Sequence, residues 1–423
     1  VIQIDIEFQW EASMIRKAAR FSKVKTTAAR PIVTPQLLRI AILESAEERR
    51  QSGTICPSEV ALSLWQDDWR DHMHEVRQAA AQLCGQELLL ATQRGVSIEI
   101  VDAVGPIRLQ SRPLAPPASP FPGRLGLCCQ FAQEPIFFRT TTASSLARLS
   151  RRDQLQKLSA LCLGNAEALQ SALRYCASNR IGAFRIGSTL LPVKTHPDVG
   201  YDLAELPQAS SIKAVLKDCK AFAAERDIRT SFHPDQFVVL NSPRPDVVER
   251  SLEDLVSHAE LAELVGADVI NIHGGGAFGD KPTALEALTR KIEKLPDCIR
   301  ERLTLENDDR VYTPTDLLPV CRATAVPLVY DVHHHRCLPD GLSVAAATEA
   351  ALKTWNREPL FHLSSPLNGW SGPQPERHHD DIDPRDFPQS WLSLAITVDV
   401  EAKAKETAVR NLLAYLKPTQ SAG

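Results

Sequence analysis

From Arg124 onward, short apolar runs alternate with stretches of helical periodicity. The runs fall at 124–129, 183–188, 228–234, 268–274, 302–308, 327–333, 359–364 and 394–401. Amphipathic segments at 152–178, 211–226, 245–265, 282–300 and 343–355 separate most of them. Parallel strands buried on both faces read as continuous apolar runs rather than as strict alternation. Eight such strand–helix units over about 300 residues predict a (β/α)8 TIM barrel. A doubly wound open sheet would instead want a glycine-rich phosphate loop at its switch point. The one candidate, Gly274-Gly275-Gly276, lacks the GxGxxG spacing.

The pattern before Arg124 differs. Thr34 to Arg50 is amphipathic, with Leu37, Leu38, Ile40, Ala41, Ile42 and Leu43 available for an apolar face. Cys56-Pro57-Ser58-Glu59-Val60 opens a second helix, with Pro57 where a missing N–H costs little. Asp67 to Cys84 predicts a third, with Trp69, Met73, Val76, Ala79, Ala80 and Leu83 at helical spacing. Residues 88–100 read as two short strands around Gly95. Three helices and a hairpin is the winged-helix order, so residues 31–110 are expected to form a small winged-helix-like α+β domain. Residues 111–123 carry Pro113, Pro116, Pro117, Pro120 and Pro122 and read as a stiff linker. The barrel is then expected over 124–416. In the small module Arg70, Arg77 and Arg94 are candidate DNA contacts, opposed by Asp67, Asp68, Asp71 and Glu75, which repel phosphate.

Composition narrows the classes. The 43% hydrophobic and 24% charged fractions are those of a water-soluble globular protein, and no apolar run reaches the ~20 residues that span a bilayer. The formal net charge of −4 gives no bulk argument for nucleic acid, so such a site must be a local patch. Ten scattered cysteines without a CxxC pair or a secretory leader favour a reducing cytoplasm. Residues 1–30, which open on Val1, carry no reading.

The chemistry lies at the strand ends. Polar clusters follow the apolar runs: Ser231-Phe232-His233, Asn271-Ile272-His273, Leu305-Glu306-Asn307, Asp331-Val332-His333-His334-His335, Phe361-His362 and Val398-Asp399-Val400-Glu401. One histidine at a strand end is more often hydrogen-bonded scaffold. A histidine or carboxylate at nearly every strand C-terminus, the face where barrels place their active sites, favours a metal centre instead. Neutral imidazole with carboxylate suits Mn²⁺, Zn²⁺ or Fe²⁺, and the number of donors implies two or three ions. His258, inside a helical stretch, is assigned to structure. Strict strand alternation places His333, not His334, on the side of Asp331, while a local bulge reverses this, so spacing leaves both open.

Beyond these patterns, the stretches Arg124-Leu125-Gly126, Phe184-Arg185-Ile186-Gly187-Ser188, His233-Pro234-Asp235-Gln236-Phe237, Ile272-His273-Gly274-Gly275-Gly276, Leu305-Glu306-Asn307-Asp308, Asp331-Val332-His333-His334-His335, His362-Leu363-Ser364-Ser365-Pro366 and Glu401-Ala402-Lys403-Ala404-Lys405-Glu406 resemble the UV damage endonuclease family, from about Arg124 to Ala414. The resemblance implies a barrel with a manganese cluster of two or three ions, Zn²⁺ or another divalent ion being the alternative. It implies damaged double-stranded DNA as partner and a nick immediately 5′ to UV photoproducts and other lesions, leaving a 3′-hydroxyl. The implied ligands are His196, His233, His273, Glu306, Asp331, His334, His362, His378 and Glu401, with Glu306, His273 and Glu401 central to catalysis. His334 and His378 are thereby selected over their neighbours. Gln236 and Phe237 are implied as lesion probes, and Arg185, Lys281 and Arg310 are candidate phosphate contacts. Three positions depart from the family: Leu360 replaces a modified lysine, Phe237 a tyrosine, and Leu127 a second probing tyrosine. A barrel that binds damage without cutting and a sugar isomerase or epimerase are the competing readings. The stretch with Cys56-Pro57-Ser58-Glu59-Val60, Trp69-Arg70, Val76-Arg77 and Gly105-Pro106-Ile107-Arg108 resembles a small uncharacterised bacterial winged-helix-like family. A monomer in the bacterial cytoplasm, associated with the nucleoid, is expected.

Overall fold

The computed structural model describes residues 33–417 apart from 51, 52, 102, 114–116 and 118. It divides into two compact units. Part of the expected 111–123 linker, and residues 31 and 32 of the expected module, lie outside the described residues.

The smaller unit comprises the chain up to Pro113 together with Pro366–Arg377. Helix α1 (Pro35–Glu48) is capped by the Thr34 hydroxyl, which accepts the Leu37 N–H at 3.2 Å. Helix α2 (Pro57–Trp65) starts on Pro57, as its fixed φ favours. Helix α3 (Met73–Gly85) begins six residues later than the periodicity suggests. The aspartates at 67, 68 and 71 favour turns over helix, Gln66 has φ +48°, and the Trp65 and His72 rings stack at 4.2 Å across the gap. Strands β1 (Leu89–Gln93) and β2 (Val96–Ser97) form the hairpin around Gly95, whose φ of +82° suits glycine. A third strand, β3 (Arg108–Ser111), pairs antiparallel with β1, with Leu90 opposite Gln110 and Ala91 opposite Leu109. The core gathers Leu38, Ile42, Val60, Val76, Leu83 and Leu109, and Trp370 packs on it.

The larger unit is the barrel. Its eight parallel strands are β4 (Arg124–Cys128), β5 (Ala183–Ile186), β6 (Arg229–Phe232), β7 (Val269–His273), β8 (Leu303–Glu306), β9 (Leu328–Val329), β10 (Leu360–Leu363) and β11 (Thr397–Val400). They run in the spatial order β10-β11-β4-β5-β6-β7-β8-β9. Each lies within or at the edge of one of the eight apolar runs. Between β9 and β10 a single parallel bridge joins Asp331 to His362, and the His362 N–H donates to the Tyr330 carbonyl at 3.1 Å. The sheet therefore closes at two residues of the polar strand-end set.

The outer helices bury one stripe each against the strands. Helix α5 (Arg151–Asn179), which follows the short α4 (Ala143–Leu146), buries Leu158, Cys162, Leu169 and Leu173 and is capped by Ser150. Helices α6 (Ala209–Glu225) and α7 (Pro245–Val265) follow the same rule, and α7 ends at Gly266 in the left-handed conformation (φ +77°). Helix α8 (Lys281–Ile292) and the short α9 (Asp297–Arg300) precede β8, and α10 (Pro314–Thr324) opens on a Thr313–Asp316 capping box. One turn of helix, α11 (Val332–Cys337), follows β9, then α12 (Val344–Leu352). The last helix, α13 (Glu406–Tyr415), places the Glu406 carboxylate so that it accepts the N–H groups of Ala132, Gln133 and Glu134. That anchor fixes the chain leaving β4 beside the strand-end face.

Candidate metal centre at the strand ends

Glu306, the last residue of β8, is 1% exposed, and its two oxygens organise the site. Oε2 faces His233 Nε2 at 2.9 Å and accepts a bond from Asn271 Nδ2. Oε1 faces His362 Nδ1 at 3.0 Å and lies 3.5 Å from His334 Nδ1. Asn271 is held in turn by the Thr304 hydroxyl at 2.9 Å. It lies two residues before His273 on β7, so the strand's period of two points both side chains to one face.

Asp331 and His334 meet through local helix chemistry. Asp331 is the N-cap of α11, and its Oδ1 accepts the His334 N–H at 2.8 Å. Residues three apart share a helix face, which brings His334 Nδ1 to 3.5 Å from Asp331 Oδ2. The strand alternation that would have favoured His333 ends at the cap. His333 is fully buried, with Nδ1 at 3.3 Å from the Ser364 carbonyl. His335 is buried between the Tyr330 hydroxyl and Asp340 at 2.7 and 2.9 Å. Asn307 clamps the Asp331 backbone from both sides: Oδ1 accepts its N–H at 3.0 Å and Nδ2 donates to its carbonyl at 2.9 Å.

Three overlapping sets of donor atoms, each within 4.8 Å, follow from this arrangement: His233–Glu306–His362, Glu306–Asp331–His334 and Asp331–His362–Glu401. His273 borders them, its ring 5.1 Å from that of His233 and 6.0 Å from that of His334. His378 lies with Nδ1 3.7 Å from Glu401 Oε2. Its neighbour His379 turns to its own loop, where Nδ1 accepts the Asp381 N–H at 3.0 Å. His196 is not among the side chains brought together; its Nδ1 accepts the Asp198 N–H at 3.2 Å.

The electrostatics call for added positive charge. Burial opposes ionisation of Glu306, yet His362, His273 and His233 around it hold its carboxyl well below the usual range. Burial also opposes charge on His334 and His362. Asp331 and Glu306 beside the first, and Glu306 beside the second, nonetheless raise both imidazoles to about 9. Asp331, fully buried, is pushed up by that burial. Asp331 Oδ2 and His273 Nδ1 are buried without a hydrogen-bond partner. Buried polar atoms are seldom left so. Imidazole and carboxylate donors with open lone pairs around one small volume fit divalent ions of the Mn²⁺, Fe²⁺ and Zn²⁺ type.

The other expected contacts divide. Phe237 is 73% exposed and Gln236 is exposed beside it, on the segment after β6 that follows His233. Arg310 projects from the loop after β8, 76% exposed. Arg185 is 13% exposed and its Nη1 is bound to Glu401, so it faces the cluster rather than solvent. Lys281 pairs with Asp316 at 2.9 Å. Leu127 and Leu360 are fully buried core residues. In the smaller unit Arg77 donates to the Gly105 and Ala103 carbonyls, bracing the chain before β3, and Arg70 lies over the Trp69 ring at 4.4 Å. Arg94 is exposed in the hairpin turn.

Comparison with known proteins finds matches for both parts of the chain. Residues 123–421 match the family described as UV-endonuclease UvdE, and residues 35–112 match a family described as a protein of unknown function, DUF3253. The UV DNA damage endonuclease of Deinococcus radiodurans is 36% identical over 299 residues, covering 68% of this chain and 94% of that protein. That of Bacillus velezensis is 33% identical over 235 residues, covering 54% of this chain and 72% of the relative. Among solved structures, that of SacUVDE superposes with a TM-score of 0.63 at 29% identity, covering 70% of this chain and 98% of the other.

Because Glu306 serves two of the three donor sets, Glu306→Gln is expected to lose at least one bound divalent ion per chain while keeping its volume and fold. Metal content by plasma mass spectrometry after gel filtration, with circular dichroism as the control, checks this. A full metal complement in the variant would contradict it.

Proposed function

The chain belongs to the UV-endonuclease UvdE family, and from that premise we propose that its barrel nicks duplex DNA immediately 5′ to UV photoproducts and other lesions, leaving a 3′-hydroxyl. It is a DNA repair endonuclease. The observation that carries the reading is the ring of His233, His273, Glu306, Asp331, His334, His362 and Glu401 at the C-terminal face of the barrel, with Phe237 exposed on a neighbouring segment.

We assign two or three divalent ions, Mn²⁺ first, to His233, His273, Glu306, Asp331, His334, His362, His378 and Glu401. His196 belongs to the assignment only if its segment moves toward the cluster on loading. Bound there, the ions would supply a water of lowered pKa and neutralise charge on the scissile phosphate and the leaving 3′-oxygen. The chain's own residues prepare the rest. Glu306, desolvated and fixed by Asn271, His233 and His362, holds a carboxylate in one orientation at the centre of the cluster. Arg185 aims Glu401, and Asn307 aims Asp331. Gln236 and Phe237 fill the gap left when lesion nucleotides leave the stack, which a poorly paired photoproduct does at low cost. Arg310, exposed and paired with its neighbour Asp309 at 3.5 Å, is assigned to backbone phosphate, whereas Arg185 is assigned to the cluster. Lys281 contacts phosphate only by releasing Asp316.

The partner is damaged double-stranded DNA, and among the described residues no helix is long and apolar enough to cross a membrane. We take the chain to act as a monomer on the bacterial nucleoid, with residues 31–110 as an appended module and the boundary in the proline-rich stretch 111–123.

An end-labelled duplex carrying one cyclobutane dimer tests the proposal. Full-length protein with Mn²⁺ is expected to give one nick immediately 5′ to the dimer, and EDTA to abolish it. Binding without incision in Mn²⁺, or metal-independent cutting, would sink it. On the same duplex Phe237→Ala is expected to lose about ten- to hundredfold in affinity, since base–aromatic stacking is worth roughly 1–3 kcal/mol. Binding to undamaged duplex should be nearly unchanged. Gel-shift titrations that find equal losses on both duplexes would remove Phe237 from lesion recognition.

A further inference from the structure

One carboxylate in the barrel has no role in the arrangement described so far. Asp399, in the middle of β11, is fully buried, and both of its oxygens lack a hydrogen-bond partner. Buried polar groups are seldom left without a hydrogen bond, so a fold that keeps such a carboxylate invites a reason. The neighbouring strands leave room for it. In the parallel register Asp399 lies beside His362 on β10 and beside Gly126 on β4. A Cβ at Gly126 would collide with Asp399 Oδ1, so glycine there is what lets this carboxylate occupy the barrel interior.

The one ion-pair nitrogen within 4.0 Å of Asp399 among the described residues is His362 Nε2, at 3.9 Å from Oδ2. That nitrogen is likewise buried and without a hydrogen-bond partner. The opposite edge of the same ring, Nδ1, faces Glu306 at 3.0 Å and Glu401 at 3.4 Å. Arg185 reaches Asp399 only through its charge: its Nη1 is bound to Glu401, and its Nε, buried like Asp399, makes no hydrogen bond. An imidazole that offers its Nδ1 lone pair to a metal must carry its proton on Nε2, and metal-bound histidines commonly donate that second N–H to a carboxylate.

We propose that Asp399 is a positioning residue for the metal centre: it receives the Nε2–H of His362, fixes the ring's tautomer and tilt, and so presents Nδ1 to the ion. The inference rests on the metal reading above. Closing the gap from 3.9 Å to hydrogen-bond length breaks no existing bond, because neither His362 Nε2 nor an Asp399 oxygen has a hydrogen-bond partner.

Titration of metal-free, full-length protein with Mn²⁺, following free Mn²⁺ by electron paramagnetic resonance, tests it. Asp399→Ala is expected to weaken binding at one site about 10–100-fold, the range seen when such outer partners of a ligand are removed. Asp399→Asn, whose amide oxygen still accepts the N–H, is expected to restore most of that loss. The metal-free melting temperature should hold or rise in both variants, because a buried carboxylate without a hydrogen-bond partner has gone. Alanine-variant affinity within threefold of wild type, equal losses in the two variants, or lower metal-free melting in both would each overturn the inference. Should Asp399→Ala not fold, Asp399→Asn decides: about a three- to tenfold loss with unchanged melting supports the role, and no loss overturns it. A wild-type protein that takes up no Mn²⁺ would overturn the metal reading and this inference with it. Uptake by wild type with unchanged uptake in the variants overturns the inference alone.

Discussion

The strand-end face is organised by an imbalance of buried charge. Glu306, Asp331, Asp399 and Glu401 lie close together in the barrel, the first three at most 1% exposed, and the Arg185 guanidinium beside them is bound to Glu401. Two unit charges 4 Å apart interact by about 4 kcal/mol at an effective dielectric of 20, so such a cluster cannot keep its carboxylates ionised without more cations. In the metal-free chain the surrounding carboxylates push His334 and His362 up to about 9, while burial pushes His273 down. Divalent ions answer the same demand and leave the imidazoles neutral as ligands.

The scaffold tolerates this burden because the apolar parts are placed elsewhere. Leu125, Phe184, Phe232, Ile270, Leu305, Leu328, Phe361 and Val398 are fully buried and line or flank the strands. The polar set gathers toward the strand ends, with Asn271 and Asp399 reaching it from within β7 and β11. Hydrogen-bonded clamps then hold each carboxylate in one pose: Asn271 on Glu306, Asn307 on Asp331 and Arg185 on Glu401. Closure of the sheet between Asp331 and His362 ties the geometry of the cluster to that of the barrel itself.

Much of this was legible in the chain. The apolar runs located all eight barrel strands, because buried parallel strands leave an uninterrupted signature, and the strand-end histidines and acids are the side chains that the structure gathers. What local pattern could not supply were relations between distant strands. Arg185 reads as a surface phosphate contact until register brings it to Glu401, 216 residues away. Asp399 reads as one of two acids at a strand end until β4, β10 and β11 are laid side by side. The choice of His334 over His333 turned on Asp331 capping a helix rather than ending a strand, a two-residue matter that periodicity does not resolve. In the smaller unit the strand at Arg108–Ser111 carries one apolar residue, Leu109, and exists through its pairing with β1.

The central claim is that one buried ring of imidazoles and carboxylates is a multi-ion metal centre. Anomalous diffraction at the manganese edge, from crystals of the full-length protein grown with Mn²⁺, tests it most directly. Two or three peaks are expected, each within about 2.0–2.3 Å of donor atoms drawn from His233, His273, Glu306, Asp331, His334, His362, His378 and Glu401. No peak among these side chains at saturating Mn²⁺, or peaks confined to surface carboxylates, would contradict the account.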